Sequence, residues 1–191
     1  FPTRRSSDLE VVDQAHARGA QLIVTVDNGI SSHAGVEHAR SLGIPVIVTD
    51  HHLPGDTLPA AEAIINPNLR DCNFPSKSLA GVGVAFYLML ALRTFLRDQG
   101  WFDERGIAIP NLAELLDLVA LGTVADVVPL DANNRILTWQ GMSRIRAGKC
   151  RPGIKALLEV ANRDPQKLAA SDLGFALGPR LCGDRVVAGH G

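Results

Sequence analysis

The sequence predicts an α/β fold, a parallel sheet flanked by helices, with a helical linker toward the C-terminus. Three observations carry that expectation. Residues 21–27 and 45–50 are short, β-branched, apolar runs, and each closes on a carboxylate, Asp27 and Asp50. A stretch with helical spacing lies between them. A third apolar run, at 63–66, follows and is closed by Pro67. Strand, helix and strand within about thirty residues make a βαβ unit, which implies parallel pairing with a right-handed crossover.

Taken in order, residues 11–18 have helical spacing and stop at Gly19. The run 21–27 is apolar on both faces and predicts a buried strand. Ser31 or Ser32 can cap the next helix, which ends near Leu42 before Gly43. The runs 45–50 and 63–66 predict the second and third strands, and 71–75 predicts a loop. Residues 79–97 predict a long apolar helix whose small residues Ala80, Gly81 and Gly83 permit close packing. Asn111 with Glu114 three residues on has the form of a capping box, opening a buried helix through about Val124. Past Pro129 the chain is more polar and basic, and a further helix is expected at 154–161. There is no internal repeat and no low-complexity segment.

Composition bounds the classes. The chain has 191 residues, 46% hydrophobic and 20% charged, which suits one globular α/β domain and perhaps the start of another. No apolar run approaches the ~18 residues of a membrane span, and no secretory signal is visible. Three cysteines, Cys72, Cys150 and Cys182, lie far apart without a CxxC spacing. That argues against a disulfide framework or zinc ribbon and for a reducing cytoplasm. A formal net charge of −1 excludes a uniformly basic surface, though not a local basic stripe.

Three carboxylates sit where an uncompensated charge is expensive. Asp27 and Asp50 end neighbouring strands, at the crevice where open parallel sheets bind ligands. Asp126 ends the apolar run 115–128. Burying an ionised carboxylate costs several kcal/mol unless a cation or hydrogen bonds compensate. Any one of them alone reads more readily as a turn or helix cap; three together with two histidines point to a metal site. His51 and His52 follow Asp50 directly, and a lone His-His pair is commonly a surface turn. Adjacent residues at a strand end point apart, so one imidazole can ligate while the other faces substrate. Oxygen and nitrogen donors without thiolate suit Mn²⁺ or Mg²⁺, and two such ions can serve an in-line phosphoryl displacement. Arg144, Arg146, Lys149, Arg151 and Lys155 form the one dense basic patch, either a solvated face or a set of phosphate contacts. Trp139 nearby is a core residue or a base-stacking one.

Val26-Asp27-Asn28-Gly29, then Asp50-His51-His52, then Gly122-Thr123-Val124-Ala125-Asp126 resemble, in order, the second to fourth motifs of the DHH phosphoesterases. The runs at 65–68, 78–83 and 177–181 resemble the family's single-stranded-DNA exonuclease branch more than its pyrophosphatases or oligoribonucleases. The match spans about residues 10–181. By that resemblance Asp27 bridges two metal ions, Mn²⁺ or Mg²⁺, with His51 and Asp126 as further ligands. His52 contacts the scissile phosphate or protonates the leaving oxygen, and Asp50 orients a histidine from behind. Arg144, Arg146, Lys149 and Arg180 become substrate contacts. The implied activity is 5′ to 3′ digestion of single-stranded DNA to mononucleotides, with a single-strand-binding protein and a helicase as implied partners. The rival readings are a family member acting on a pyrophosphate, cyclic dinucleotide or short oligonucleotide, and a non-catalytic DNA-binding scaffold.

Two departures qualify the resemblance. The family's first motif, an Asp-rich turn expected upstream of Val11, is absent, and residues 1–9 resemble nothing in the family. The expected organisation is a non-native segment at 1–9 and a catalytic domain at 10–135 without its first strand and motif. A helical linker and the start of a further domain follow at 136–181, then a divergent tail at 182–191, in which Gly189-His190-Gly191 resembles, by chance, the glycine-histidine motif of the family's C-terminal substrate domain. As written, the chain is expected to be inactive or very weak.

Overall fold

The computed structural model describes residues 4–182. The segments 1–3 and 183–191, and with them nearly all of the expected divergent tail, lie outside the described residues. The chain divides into two compact units, Phe1–Lys77 and Ser78–Gly191. No helix among the described residues is long and apolar enough to cross a membrane.

In the first unit the β-branched runs form strands because their side chains fit a pleated surface. The order is α1 (Arg4–Ala17), β1 (Ile23–Val26), α2 (His33–Ser41), β2 (Val46–Thr49) and β3 (Ala63–Ile65). All pairings are parallel, from Ile23 opposite Val46 to Val26 opposite Thr49, and from Ile47 opposite Ala63 to Thr49 opposite Ile65. The helix α1 starts upstream of the expected residue 11, and α2 ends where Gly43 takes a φ of 75°. Val12 of α1 and Val36 and Ala39 of α2 bury against Val46 and Val48 of β2. A hydrogen bond at 2.6 Å between His38 Nε2 and Asp13 Oδ1 joins the two helices.

The first strand departs from expectation. Sequence predicts β1 buried on both faces, yet Val24 and Val26 are about half exposed while Ile23 packs into the core. The reason is positional. In the sheet order β1-β2-β3 this strand is at the edge, and within its unit the helices α1 and α2 pack against the face that carries Val46 and Val48.

The second unit is helical: α3 (Gly81–Asp98), α4 (Trp101–Glu104), α5 (Leu116–Ala125), α6 (Ala132–Arg146), α7 (Pro152–Val160) and α8 (Gly178–Cys182). A tight turn at Leu112–Leu115 precedes α5, capped as its sequence predicts by Asn111, whose Oδ1 accepts from the Ala113 amide. A wide turn at Asp172–Leu177 precedes α8. The helix α6 begins upstream of residue 136, where the helical linker was expected. Asp131 caps it by accepting from the Asn134 amide at 2.9 Å. Its polar sequence hides a narrow buried stripe, Leu137, Met142 and Ile145. Trp139, on the other side, is 62% exposed and is therefore not a core residue of this unit.

One buried carboxylate of this unit is structural. Asp117, fully buried in the first turn of α5, accepts from its neighbour Leu118 and, through Oδ2 at 2.7 Å, from the Arg151 amide at the start of α7. It satisfies an orphan donor of α7 and ties two helices together. Asp117→Ala is expected to destabilise the protein by about 1–3 kcal/mol, measured by urea unfolding. A change within about 0.5 kcal/mol, the range of an ordinary surface substitution, would show that water replaces the carboxylate freely.

Candidate metal centre

The ladder between the strands ends by presenting a carboxylate and two imidazoles side by side. The last main-chain bonds of the sheet run from the Asp27 amide to the Thr49 carbonyl and from the Asp50 amide to the Ile65 carbonyl. Beyond them the chain leaves the sheet, and the side chains of Asp27, His51 and His52 converge. One ligand atom from each lies within 4.8 Å of the others. His51 Nε2 is 3.0 Å from Asp27 Oδ1, a spacing compatible with an ion pair or with two donors sharing one cation. The two rings meet edge to face at a centroid distance of 4.5 Å.

Asp27 adopts a left-handed backbone conformation, φ 64°. Aspartate tolerates that region better than most residues, but the conformation still costs about 1–2 kcal/mol. The loop around it holds the strain. Thr25 Oγ1 donates to the Asn28 carbonyl at 2.7 Å, and Gly29, at φ 107°, leaves no room for a side chain beside Thr25.

Asp50 is the hub. It is 1% exposed and accepts from the Ile30 amide at 2.9 Å, the His51 amide at 2.8 Å, the His52 amide at 3.1 Å and His52 Nδ1 at 2.6 Å. Burial alone pushes the Asp50 carboxyl up. The bonds from the Ile30 amide, the His52 ring and the His52 and His51 amides outweigh that and hold it below its ordinary value. A carboxylate that accepts from Nδ1 orients the His52 ring and leaves Nε2 free to face outward. The same carboxylate, through Ile30, pins the loop that carries Asp27.

The donor set, one carboxylate and two imidazoles without thiolate, fits a hard or borderline divalent cation such as Mn²⁺. Among the described residues these three form the group of His, Cys, Asp and Glu that could hold an ion. Asp126 belongs to the second unit. It is exposed at the C-terminal end of α5, followed by Val127 at φ 57°, a strained value for a β-branched residue.

The basic residues singled out by sequence are also in the second unit, and several are occupied. Arg146 donates through Nε (3.0 Å) and Nη2 (2.5 Å) to the Leu168 carbonyl. Arg180 donates to the Ala176 carbonyl. Arg144 is half-buried, and Lys149 is exposed. Sequence reasoning missed Asn66 and Asn68 as neighbours of the centre. Asn66 Nδ2 donates to the His52 carbonyl and Asn68 Nδ2 to the His51 carbonyl. The available signal was an Asn-Pro-Asn turn directly after the third strand.

Against known proteins, residues 2–123 match the family model described as the DHH family, N-terminal domain. The chain is 99% identical over 172 residues to the single-stranded-DNA-specific exonuclease RecJ of Escherichia coli (strain K12), covering 90% of this chain and 30% of that protein. It is 43% identical over 164 residues to the protein of the same name from Bacillus subtilis (strain 168), covering 86% and 19%. Among solved structures, exonuclease RecJ bound to manganese superposes with a TM-score of 0.69 at 36% identity, covering 90% of this chain and 40% of that one. RecJ in complex with Mn²⁺ from Thermus thermophilus gives 0.68 at 34% identity, covering 90% and 24%. The chain thus spans 30% or less of the length of these curated relatives.

Proposed function

The chain belongs to the DHH family, and from that premise we propose that it carries part of the metal site of a 5′ to 3′ exonuclease that degrades single-stranded DNA to mononucleotides. The observation that carries this reading is the convergence of Asp27, His51 and His52 at the carboxyl ends of adjacent parallel strands. The names of the relatives and the manganese in two of the similar structures support it.

In this reading Asp27 and His51 would hold the cation, Mn²⁺ or Mg²⁺. A divalent cation so bound supplies Lewis-acid polarisation of a phosphoryl oxygen and activation of a water nucleophile. The chain's own residues do the rest. Asp50 keeps the His52 ring oriented, and His52 Nε2 meets the scissile phosphate or delivers a proton to the leaving oxygen. The strained Asp27 loop holds its carboxylate in place before any ligand arrives, which cuts the cost of ordering it on binding. Arg144, Lys149 and, where their guanidinium groups remain available, Arg146 and Arg180 take phosphates of the strand, giving affinity without sequence preference. The catalytic domain is assigned to 10–135 and the linker to 136–181. A reducing cytoplasm suits the free thiols Cys72 and Cys150. A single-strand-binding protein and a helicase are the partners this function calls for.

Asp27→Ala is expected to lower Mn²⁺ affinity by about a hundred-fold or more, since the ligand itself is lost. Placed at the matching position of the full-length E. coli relative, it should reduce Mn²⁺-dependent mononucleotide release from 5′-phosphorylated single-stranded DNA by roughly a hundred-fold or more. Unchanged release would remove Asp27 from the site. Hydrolysis of pyrophosphate or a small phosphodiester, without release from DNA, would move the protein to the family's small-substrate branch.

A further inference from the structure

We propose that the turn Asn66-Pro67-Asn68 is a positioning element that sets the direction of the two histidine rings by gripping the His51 and His52 carbonyls. The inference rests on the metal reading of this centre. Main-chain pairing between β2 and β3 ends at the Asp50 amide and the Ile65 carbonyl, so the His51 and His52 carbonyls lie beyond the ladder. Side chains from the β3 side take over. Asn66 Nδ2 donates to the His52 carbonyl at 2.9 Å, and Asn68 Nδ2 donates to the His51 carbonyl at 2.6 Å.

The orientation of the Asn66 amide is set as well. Its Oδ1 accepts from the Asn68 amide at 2.8 Å, so Nδ2 must face His52. A carboxamide offers an acceptor and a donor on one planar group. Aspartate has no donor, and leucine has neither. Asn66 is 3% exposed, which keeps water from competing for these bonds. Pro67 between the two asparagines brings no amide hydrogen that would need a partner. Its carbonyl accepts from Lys77 Nζ at 2.6 Å, and the same ammonium reaches the Cys72 carbonyl at 2.5 Å, so the turn is anchored from behind.

Asp50 fixes the His-His segment through its amides and one ring nitrogen, and the asparagines fix it through its carbonyls. With the N–H and the C=O of both histidines held, the segment has little freedom to rotate either Cα–Cβ direction. Partners that orient metal ligands typically change metal affinity by about 10–100-fold when removed.

The test uses the whole chain with Asn68→Leu, which is close in shape and adds no charge. Lys77→Met, at an exposed position, is the second variant should the first fail to fold. Mn²⁺ affinity is read by titration with the free ion followed by electron paramagnetic resonance. The histidine ring nitrogens are read by NMR without metal, and melting is followed in parallel. Expected results are an affinity about ten-fold lower for Asn68→Leu, shifted His51 ring signals and a nearly unchanged melting temperature. Unaltered affinity and unaltered ring signals in both variants would overturn the proposal. His51→Ala separates the two readings. If it leaves Mn²⁺ affinity intact, the metal assignment fails, and the ring signals of Asn68→Leu alone then decide the positioning role, shifted for and unshifted against.

Discussion

Asp50→Ala is expected to destabilise the protein by about 3 kcal/mol or more, the largest single effect at the candidate centre. The carboxylate receives three main-chain amides and one imidazole. Deleting it takes the acceptor from donors in a buried setting, each loss costing about 1–3 kcal/mol. Guanidinium unfolding measures the loss, and a difference within about 0.5 kcal/mol would show that Asp50 is no hub. Asp50→Asn keeps one acceptor and turns an NH₂ toward a donor, so a smaller loss is expected together with a disturbed His52 tautomer. The pH dependence has a definite sign. The folded carboxyl is held below its ordinary value of 3.8, so its stabilisation is fully present above that value. It is lost as pH falls below 3.8 through the folded value, because the unfolded state then binds the proton more readily. In Asp50→Asn this acid-side loss should be reduced.

Gly141→Ala is expected to cost about 3 kcal/mol or more in the helical unit, through sterics alone. A Cβ built at Gly141 of α6 lies 2.0 Å from the Leu116 carbonyl oxygen and 2.5 Å from the Ala120 Cβ of α5. The first of these is backbone and cannot rotate aside. The two helices would have to separate, opening the cluster of Ala120, Leu121, Met142 and Ile145. On an exposed helix position the same change would instead stabilise by about 1 kcal/mol, since alanine is the better helix former. Thermal unfolding therefore reads a difference of sign. A raised melting temperature would mean that α5 and α6 do not approach as closely as this geometry requires.

Much of the fold was legible because apolar periodicity reports which elements form. The β-branched runs became parallel strands, Asn111 capped the turn that opens α5, and Gly43 ended α2. Burial of a particular strand was less legible. Val24 and Val26 have the composition of core residues, but their exposure depends on how many neighbours the sheet supplies. The helix α6 was obscured because its buried stripe includes Asn134 and Thr138 beside Leu137. Asn134 is tolerated there only because its Nδ2 reaches the Ser78 and Pro129 carbonyls.

By itself the sequence determined the chemistry available: carboxylates at two strand ends, a tandem histidine after one of them, nitrogen and oxygen donors without thiolate, and the order of motifs that marks the family. Tertiary structure decided how those groups are used. It joined Asp50 to the His52 ring and to the Ile30 amide twenty residues away, and set Asp27 in a left-handed turn against His51. It also directed the Arg146 and Arg180 guanidinium groups onto backbone carbonyls. The physical reason is that periodicity encodes which face of an element avoids water, a one-dimensional property. A hydrogen bond needs a donor and an acceptor within about 3 Å at a favourable angle, and that is set only when distant loops are brought together.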